Sequence, residues 1–131
     1  MHHVALFVDQ FEGCERFYVE LLGMAVEWRP DPDNVYLSGG SDNLALHRVE
    51  SSSKDGGSAQ PANLQQRLDH IGFMLAKIEH VDLWHEFLLA DGVTILTQPR
   101  THRDGARSFY CLDPSGTRVQ IIWHPPLAPA D

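Results

Sequence analysis

The sequence predicts an α+β protein made of two βαβββ repeats, whose eight strands form a mixed, curved sheet around a cavity with the helices outside. Three observations lead there. Short apolar runs rich in β-branched and aromatic residues alternate with two amphipathic helical stretches. The same order of elements occurs twice along the chain. Landmarks also coincide: His3-Val4-Ala5-Leu6-Phe7-Val8 matches His70-Ile71-Gly72-Phe73-Met74-Leu75, Gly23 matches Gly92, and the hairpin Tyr36 to Leu46 matches Tyr110 to Ile121. Four strands and one helix cannot cover both faces of a sheet, so the two repeats are expected to form one domain. The expected layout is repeat one over 1–50, a linker over 51–67, repeat two over 68–124 and a tail over 125–131.

Each element has a local cause. Val4 to Val8 is a short apolar run and is predicted to be a strand. Asp9 with Glu12 three residues on suits a helix start, Asp9 capping free N–H groups. Cys14, Phe17, Tyr18, Leu21 and Leu22 recur at helical spacing, and Gly23 ends the helix. Strands are predicted over Ala25 to Trp28, Val35 to Ser38 and Leu44 to Val49, separated by the Pro-rich turn 29–33 and the turn 39–42. Residues 51–58, rich in Ser and Gly, have no hydrophobic period and mark the linker. The second repeat follows with strands at His70 to Leu75, Val93 to Thr97, Ser108 to Cys111 and Arg118 to Trp123. Its helix is marked by Val81, Trp84, Phe87 and Leu88, and Asp113-Pro114-Ser115-Gly116 has turn chemistry.

The formal net charge of -8 argues against a nucleic-acid partner and against adhesion to an anionic membrane. No apolar run approaches the ~18 residues of a membrane span. The N-terminal residues lack a basic region followed by an apolar stretch, so no signal peptide is expected and a cytoplasmic location follows. Cys14 and Cys111 form no C-x-x-C pair and are expected to be reduced core residues. No Gly-rich phosphate loop and no nucleophile motif is present.

Strand alternation assigns faces. With Val4, Leu6 and Val8 against a helix, His3, Ala5 and Phe7 point to the cavity, as do His70, Gly72 and Met74. Ala45, His47 and Val49 share one face, as do Arg118, Gln120 and Ile122. The repeat makes Ala45 the equivalent of Gln120.

The stretch His3-Val-Ala-Leu-Phe-Val-Asp9 followed by Phe17-Tyr18-Val-Glu-Leu-Leu-Gly23 resembles the opening of the vicinal oxygen chelate superfamily. So do Asp69-His70-Ile71-Gly72-Phe73 and Ser108-Phe109-Tyr110-Cys-Leu-Asp113-Pro114-Ser-Gly116-Thr-Arg-Val-Gln120. That group includes glyoxalase I, extradiol dioxygenases and bleomycin resistance proteins. The resemblance implies metal positions at the first and last strands of each repeat, which here are His3, Ala45, His70 and Gln120. Ala45 cannot ligate, and Gln120 stands where the enzymes have a glutamate, which leaves His3, His70 and Gln120 as candidate ligands of a divalent ion (Fe, Mn, Ni, Co or Zn). A glutamine oxygen is neutral and binds more weakly than a carboxylate.

His47 is the candidate proton-transfer residue, or else a substitute ligand two residues from Ala45. Tyr110 is a candidate hydrogen-bond donor to substrate or a core aromatic. His102 and Arg107, both in the charged loop 101–107, are candidate contacts to an anionic substrate group, against the alternative of ordinary surface salt links. His80, His85 and His124 are expected at the surface. The function implied is metal-dependent chemistry on a small oxygenated metabolite, of lyase, isomerase or dioxygenase type. The alternative is a metal-free protein that sequesters a small molecule. The resemblance also implies a homodimer.

Overall fold

The computed structural model describes residues 2–49 and 68–125. The expected linker and nearly all of the expected tail lie outside the described residues. The chain divides into two compact units, 1–67 and 68–131, each taken by itself below.

The first unit runs β1 (His3–Val8), α1 (Phe11–Arg16), a π-helical turn (Phe17–Leu21), β2 (Ala25–Asp31), β3 (Asn34–Ser38) and β4 (Asn43–Arg48). The strand order is β1-β4-β3-β2. β1 lies parallel to β4, and the other pairs are antiparallel. The alternation holds: Leu6 and Val8, Val35 and Leu37, and Leu44 and Leu46 are buried with Phe11, Cys14, Phe17, Tyr18 and Leu21 of the helical segment. This is one apolar sheet face closed by one apolar helix stripe.

The helix begins one residue later than expected. Gln10, not Asp9, stands at the cap position, and its side chain makes no capping bond. After Arg16 the helix widens, and Leu22 N–H bonds the Phe17 carbonyl five residues back at 3.0 Å. Gly23 then turns the chain at φ +84°, and Met24 N–H reaches the Tyr18 carbonyl at 2.9 Å. Arg48 ties helix to sheet. Its guanidinium lies 4.6 Å from the centre of the Phe11 ring, bonds Asp33 at 2.8 Å and pairs with Glu12. The Arg48 guanidinium holds the Glu12 carboxyl down at about 2. β2 runs through Pro30 to Asp31, further than expected, and register shifts on either side of Trp28 mark it as an irregular edge strand.

The second unit runs β5 (Ile71–Met74), α2 (Glu79–Ala90), β6 (Arg100–Thr101), β7 (Arg107–Leu112) and β8 (Arg118–Trp123), in the order β5-β8-β7-β6. β5 is parallel to β8, so the two units share a topology. Phe109, Cys111, Val119 and Ile121 are buried with Val81 and Leu88 of α2. Arg107 anchors β7 to α2 through two 2.8 Å bonds to the two Asp82 oxygens.

The strand expected over Val93 to Thr97 is not continuous. Ile95 makes one isolated bridge with Cys111, and Leu96 and Thr97 both donate to the Tyr110 carbonyl. Regular pairing resumes only at Arg100, just past Pro99, which has no N–H to contribute. Two histidines expected at the surface are not simply there. His85 packs its ring 5.2 Å from Phe109 with Nε2 buried, and His124 lies in the hollow described below. Among the described residues no helix is long and apolar enough to cross a membrane.

Candidate ligand site

The register of the two sheets makes Ala45 and Gln120 equivalent. Ala45 lies opposite Ala5 on one side and Tyr36 on the other. Gln120 lies opposite Gly72 and Tyr110. Ala45 is buried and carries no donor atom.

In the first unit, the face remote from α1 carries two histidines, each at the end of a carboxylate–amide relay. Asn43 donates Nδ2–H to Glu27 Oε1 at 2.6 Å, so its Oδ1 is free to accept from His3 Nδ1 at 2.7 Å. Asn34 donates Nδ2–H to both Asp31 oxygens at 2.8 and 2.9 Å, and its Oδ1 accepts from His47 Nδ1 at 2.6 Å. With each amide nitrogen committed to a carboxylate, each ring must donate from Nδ1, which leaves Nε2 as a lone-pair donor. The Asn34 amide first, then the Asp33 backbone N–H, hold the Asp31 carboxyl below the usual carboxylate range.

His3 pairs with Asn43 while His47 pairs with Phe7, so the two histidines stand four ladder steps apart, about 13 Å along the strands. They are separate features of that face. His47 sits in an aromatic setting, its ring centre 5.6 Å from Phe7 and 6.0 Å from Tyr36, which in turn stacks on Trp28 at 5.2 Å. Phe7 is 76% exposed and Trp28 60%, so this aromatic row is a surface of the unit and not its core.

In the second unit, His70 immediately precedes β5. Asp69 Oδ2 accepts from its Nδ1 at 2.7 Å, which again leaves Nε2 free. Tyr110 meets His70 edge to face at 5.2 Å. Gln120 donates Nε2–H to Ser108 Oγ at 3.1 Å. Its Oε1 is turned towards β5, 3.8 Å from where a Cβ on Gly72 would stand. His102 Nε2 also meets Ser108 Oγ, at 3.0 Å. His70, Tyr110 and Gln120 are thus brought together on one face, and His102 joins Gln120 through the shared serine.

Arg107 does not join them. The odd-numbered residues of β7 turn to α2, where Asp82 engages its guanidinium. The arginines beside Gln120 are Arg100 and Arg103. They line a hollow of about 640 Å³ with His102, Asp104, Gln120 and His124, over Ala106 and Ile122. The pairing of Arg107 with Asp82 is the ordinary salt link that stood as the alternative for this residue. The contribution of Arg100 had no signal in the sequence, because it depends on a two-residue strand.

Taken singly, His3 and His70 each present Nε2 with a second partner holding the ring, the state of an imidazole that ligates a metal. Ala45 has no donor atom, and Gln120 offers only a neutral amide oxygen. Among the described residues, no group of three or more His, Cys, Asp or Glu side chains is placed to hold a metal.

Comparison with solved structures agrees with the topology. The chain is similar to lactoylglutathione lyase from Agrobacterium tumefaciens, at 21% identity and TM-score 0.75, over 97% of this chain and 95% of that one. It is similar to a glyoxalase-related enzyme from Fulvimarina pelagi, at 22% identity and TM-score 0.72, over 95% and 88%. A glyoxalase/bleomycin resistance protein/dioxygenase from Alicyclobacillus acidocaldarius aligns at 19% identity and TM-score 0.68, over 95% and 90%. At these identities the likeness is one of fold. No curated protein matches the chain significantly in sequence. The family model for the glyoxalase/bleomycin resistance protein/dioxygenase superfamily matches residues 1–121, and the chain belongs to that superfamily.

Proposed function

We propose that the protein is a metal-dependent enzyme of this superfamily acting on a small oxygenated metabolite, with His3, His70 and Gln120 as the ligands of a divalent ion. The observation that carries this reading is the matched state of the two histidines. In each unit the repeat-equivalent imidazole has its Nδ1 held by an oxygen, by Asn43 for His3 and by Asp69 for His70, and its Nε2 left free. A bound ion would supply Lewis acidity to neighbouring substrate oxygens. The rest falls to the chain's own residues. His47, its Nδ1 fixed by Asn34, offers Nε2 as a proton acceptor to a part of the ligand remote from the ion, since it stands about 13 Å along the strands from His3. Tyr110 orients beside His70 and offers a hydroxyl donor to substrate. His102 contacts the substrate's polar end. The reading includes a homodimer in the cytoplasm and no nucleic-acid or membrane partner, consistent with the charge of -8.

The test is metal content and affinity of untagged protein, wild type against His70→Ala. A stoichiometric ion lost in the variant is expected. Protein that neither carries nor accepts a divalent metal would end the metalloenzyme reading.

One specific feature favours a second reading, a metal-free protein that sequesters its ligand. Of the four superfamily ligand positions, Ala45 has no donor and Gln120 has no charge. Tight ligand binding that survives chelation is the result that would select it.

A further inference from the structure

We propose that Arg100 and Arg103 form the seat for an oxyanion, a carboxylate or phosphoryl group, carried by the small molecule this protein binds. The inference rests on the reading that the Gln120 face holds a ligand, and it is independent of whether a metal is bound.

Every other arginine among the described residues faces a carboxylate. Arg16 lies 3.7 Å from Glu20 and Arg118 3.7 Å from Asp69, Arg48 bonds Asp33 at 2.8 Å, Arg107 bonds Asp82 at 2.8 Å, and Arg29 pairs with Glu15. Arg100 and Arg103 have no such partner among the described residues, and both line the same hollow. The chain has 18 acidic side chains against 10 lysines and arginines, so carboxylates are plentiful, and two guanidiniums that line one hollow without a carboxylate partner among the described residues run against that balance. An anion in that hollow is attracted by both charges. The arginine fork matches the paired oxygens of a carboxylate or phosphate.

The segment that carries them is held in place. Arg100 is in register with Ser108, the residue that also receives the Gln120 amide. The turn bearing Arg103 is closed by His102 N–H to the Ala106 carbonyl at 2.7 Å and Gly105 N–H to the His102 carbonyl at 3.0 Å, with Gly105 at φ +90°. Asp104, the one acidic lining residue, turns Oδ1 back to the Ala106 N–H at 3.0 Å. The lining charges therefore sum to two positive and one negative, a local excess of positive charge in an acidic protein. A pinned turn loses little freedom when an anion arrives. An oxyanion at the arginines leaves the other end of a small ligand beside Gln120.

The experiment titrates the full chain with inorganic phosphate and, separately, with acetate. It is run at low ionic strength with a chelator present, and binding is followed by amide chemical shifts. Wild type is compared with Arg100→Gln/Arg103→Gln and with Arg16→Gln, which removes a charge far along the sequence from the hollow. The expected result is binding in wild type and Arg16→Gln that weakens by about tenfold or more in the double variant. Stronger binding of phosphate points to a phosphoryl ligand, and stronger binding of acetate to a carboxylate. Equal affinity in the double variant, or no binding of either anion by wild type, overturns the proposal. If the double variant does not fold, the two single variants carry the same comparison. Metal content measured on the same variants separates this outcome from the fate of the metal reading: an intact metal site with no anion binding sinks only the oxyanion seat.

Discussion

Replacing Asn34 with alanine tests the account of His47 directly. In the wild-type protein Asn34 Oδ1 stands 2.6 Å from His47 Nδ1, while its amide nitrogen is committed to both Asp31 oxygens at 2.8 and 2.9 Å. A single hydrogen bond of this kind contributes about 1–1.5 kcal/mol, and its polarisation by an ionised carboxylate places it at the upper end. At about 1.4 kcal/mol per factor of ten, the neutral ring should be protonated on Nδ1 in roughly nine molecules of ten or more. Asn34→Ala removes that preference and should shift the ratio of Nδ1–H to Nε2–H forms about tenfold towards Nε2–H. Long-range 1H–15N correlation spectra of the imidazole, assigned with a His47→Gln control, report the tautomer. A wild-type ring protonated on Nε2, or a ratio that Asn34→Ala leaves unmoved, would refute the relay and with it the case for Nε2 as the proton acceptor.

Asp113→Ala should cost about 2–4 kcal/mol in urea unfolding, because buried Asp113 accepts from Ser115 N–H at 2.9 Å and Thr117 N–H at 2.8 Å; Asp113→Asn, which keeps a neutral oxygen, should cost about half as much, and equal losses would show that the acceptor is not what matters. Burial, with the Asp113 charge second, pushes the Cys111 thiol up from 9.0 to about 12. Because the folded value lies above the unfolded one, this contribution to stability is intact below pH 9.0 and is lost as pH climbs from there towards 12. Mass-spectrometric alkylation should leave Cys111 unmodified at pH 8–9 until urea unfolds the chain, and rapid modification of the folded protein would contradict its burial.

How far the sequence foretold the structure depended on the range of the interactions. The repeat was legible because period and turn chemistry are local. The final strand spans Arg118–Trp123, as expected, and Tyr36 and Tyr110 face Ala45 and Gln120 as the alignment of halves required. The π-helical turn was not legible, since its apolar spacing is also that of an α-helix. Nor was the failure of Val93–Thr97 to form a strand, because Val, Ile and Thr there carry the ordinary strand propensity and the neighbouring chain decides the pairing. The relays were out of reach altogether. Asp31 and Asn34 meet locally, three residues apart across a turn, but His47 reaches Asn34, and Glu27, Asn43 and His3 meet, only once the sheet exists. The positions of the candidate ligands were readable from alternation, whereas the second partner that fixes each ring was not.

In each unit the first and last strands lie side by side and parallel, with His3 beside Asn43 and Ile71 beside Val119. The last strand of each unit to be synthesised is an inner one, and the first strand joins the sheet as an edge only by pairing with it. The β3–β4 and β7–β8 hairpins and the helices can form from near neighbours, but β1 and β5 gain a ladder partner only after a long loop has closed. Until then each is an unpaired strand, open to pairing with another chain. A ribosome-bound fragment ending before Asn43 or before Arg118 would hold such a strand, and its aggregation should fall sharply once the last strand emerges. The strand that carries His3 and the strand that His70 precedes would then be among the last parts of their sheets to be fixed, so the histidines would acquire their final surroundings only on completion of the fold.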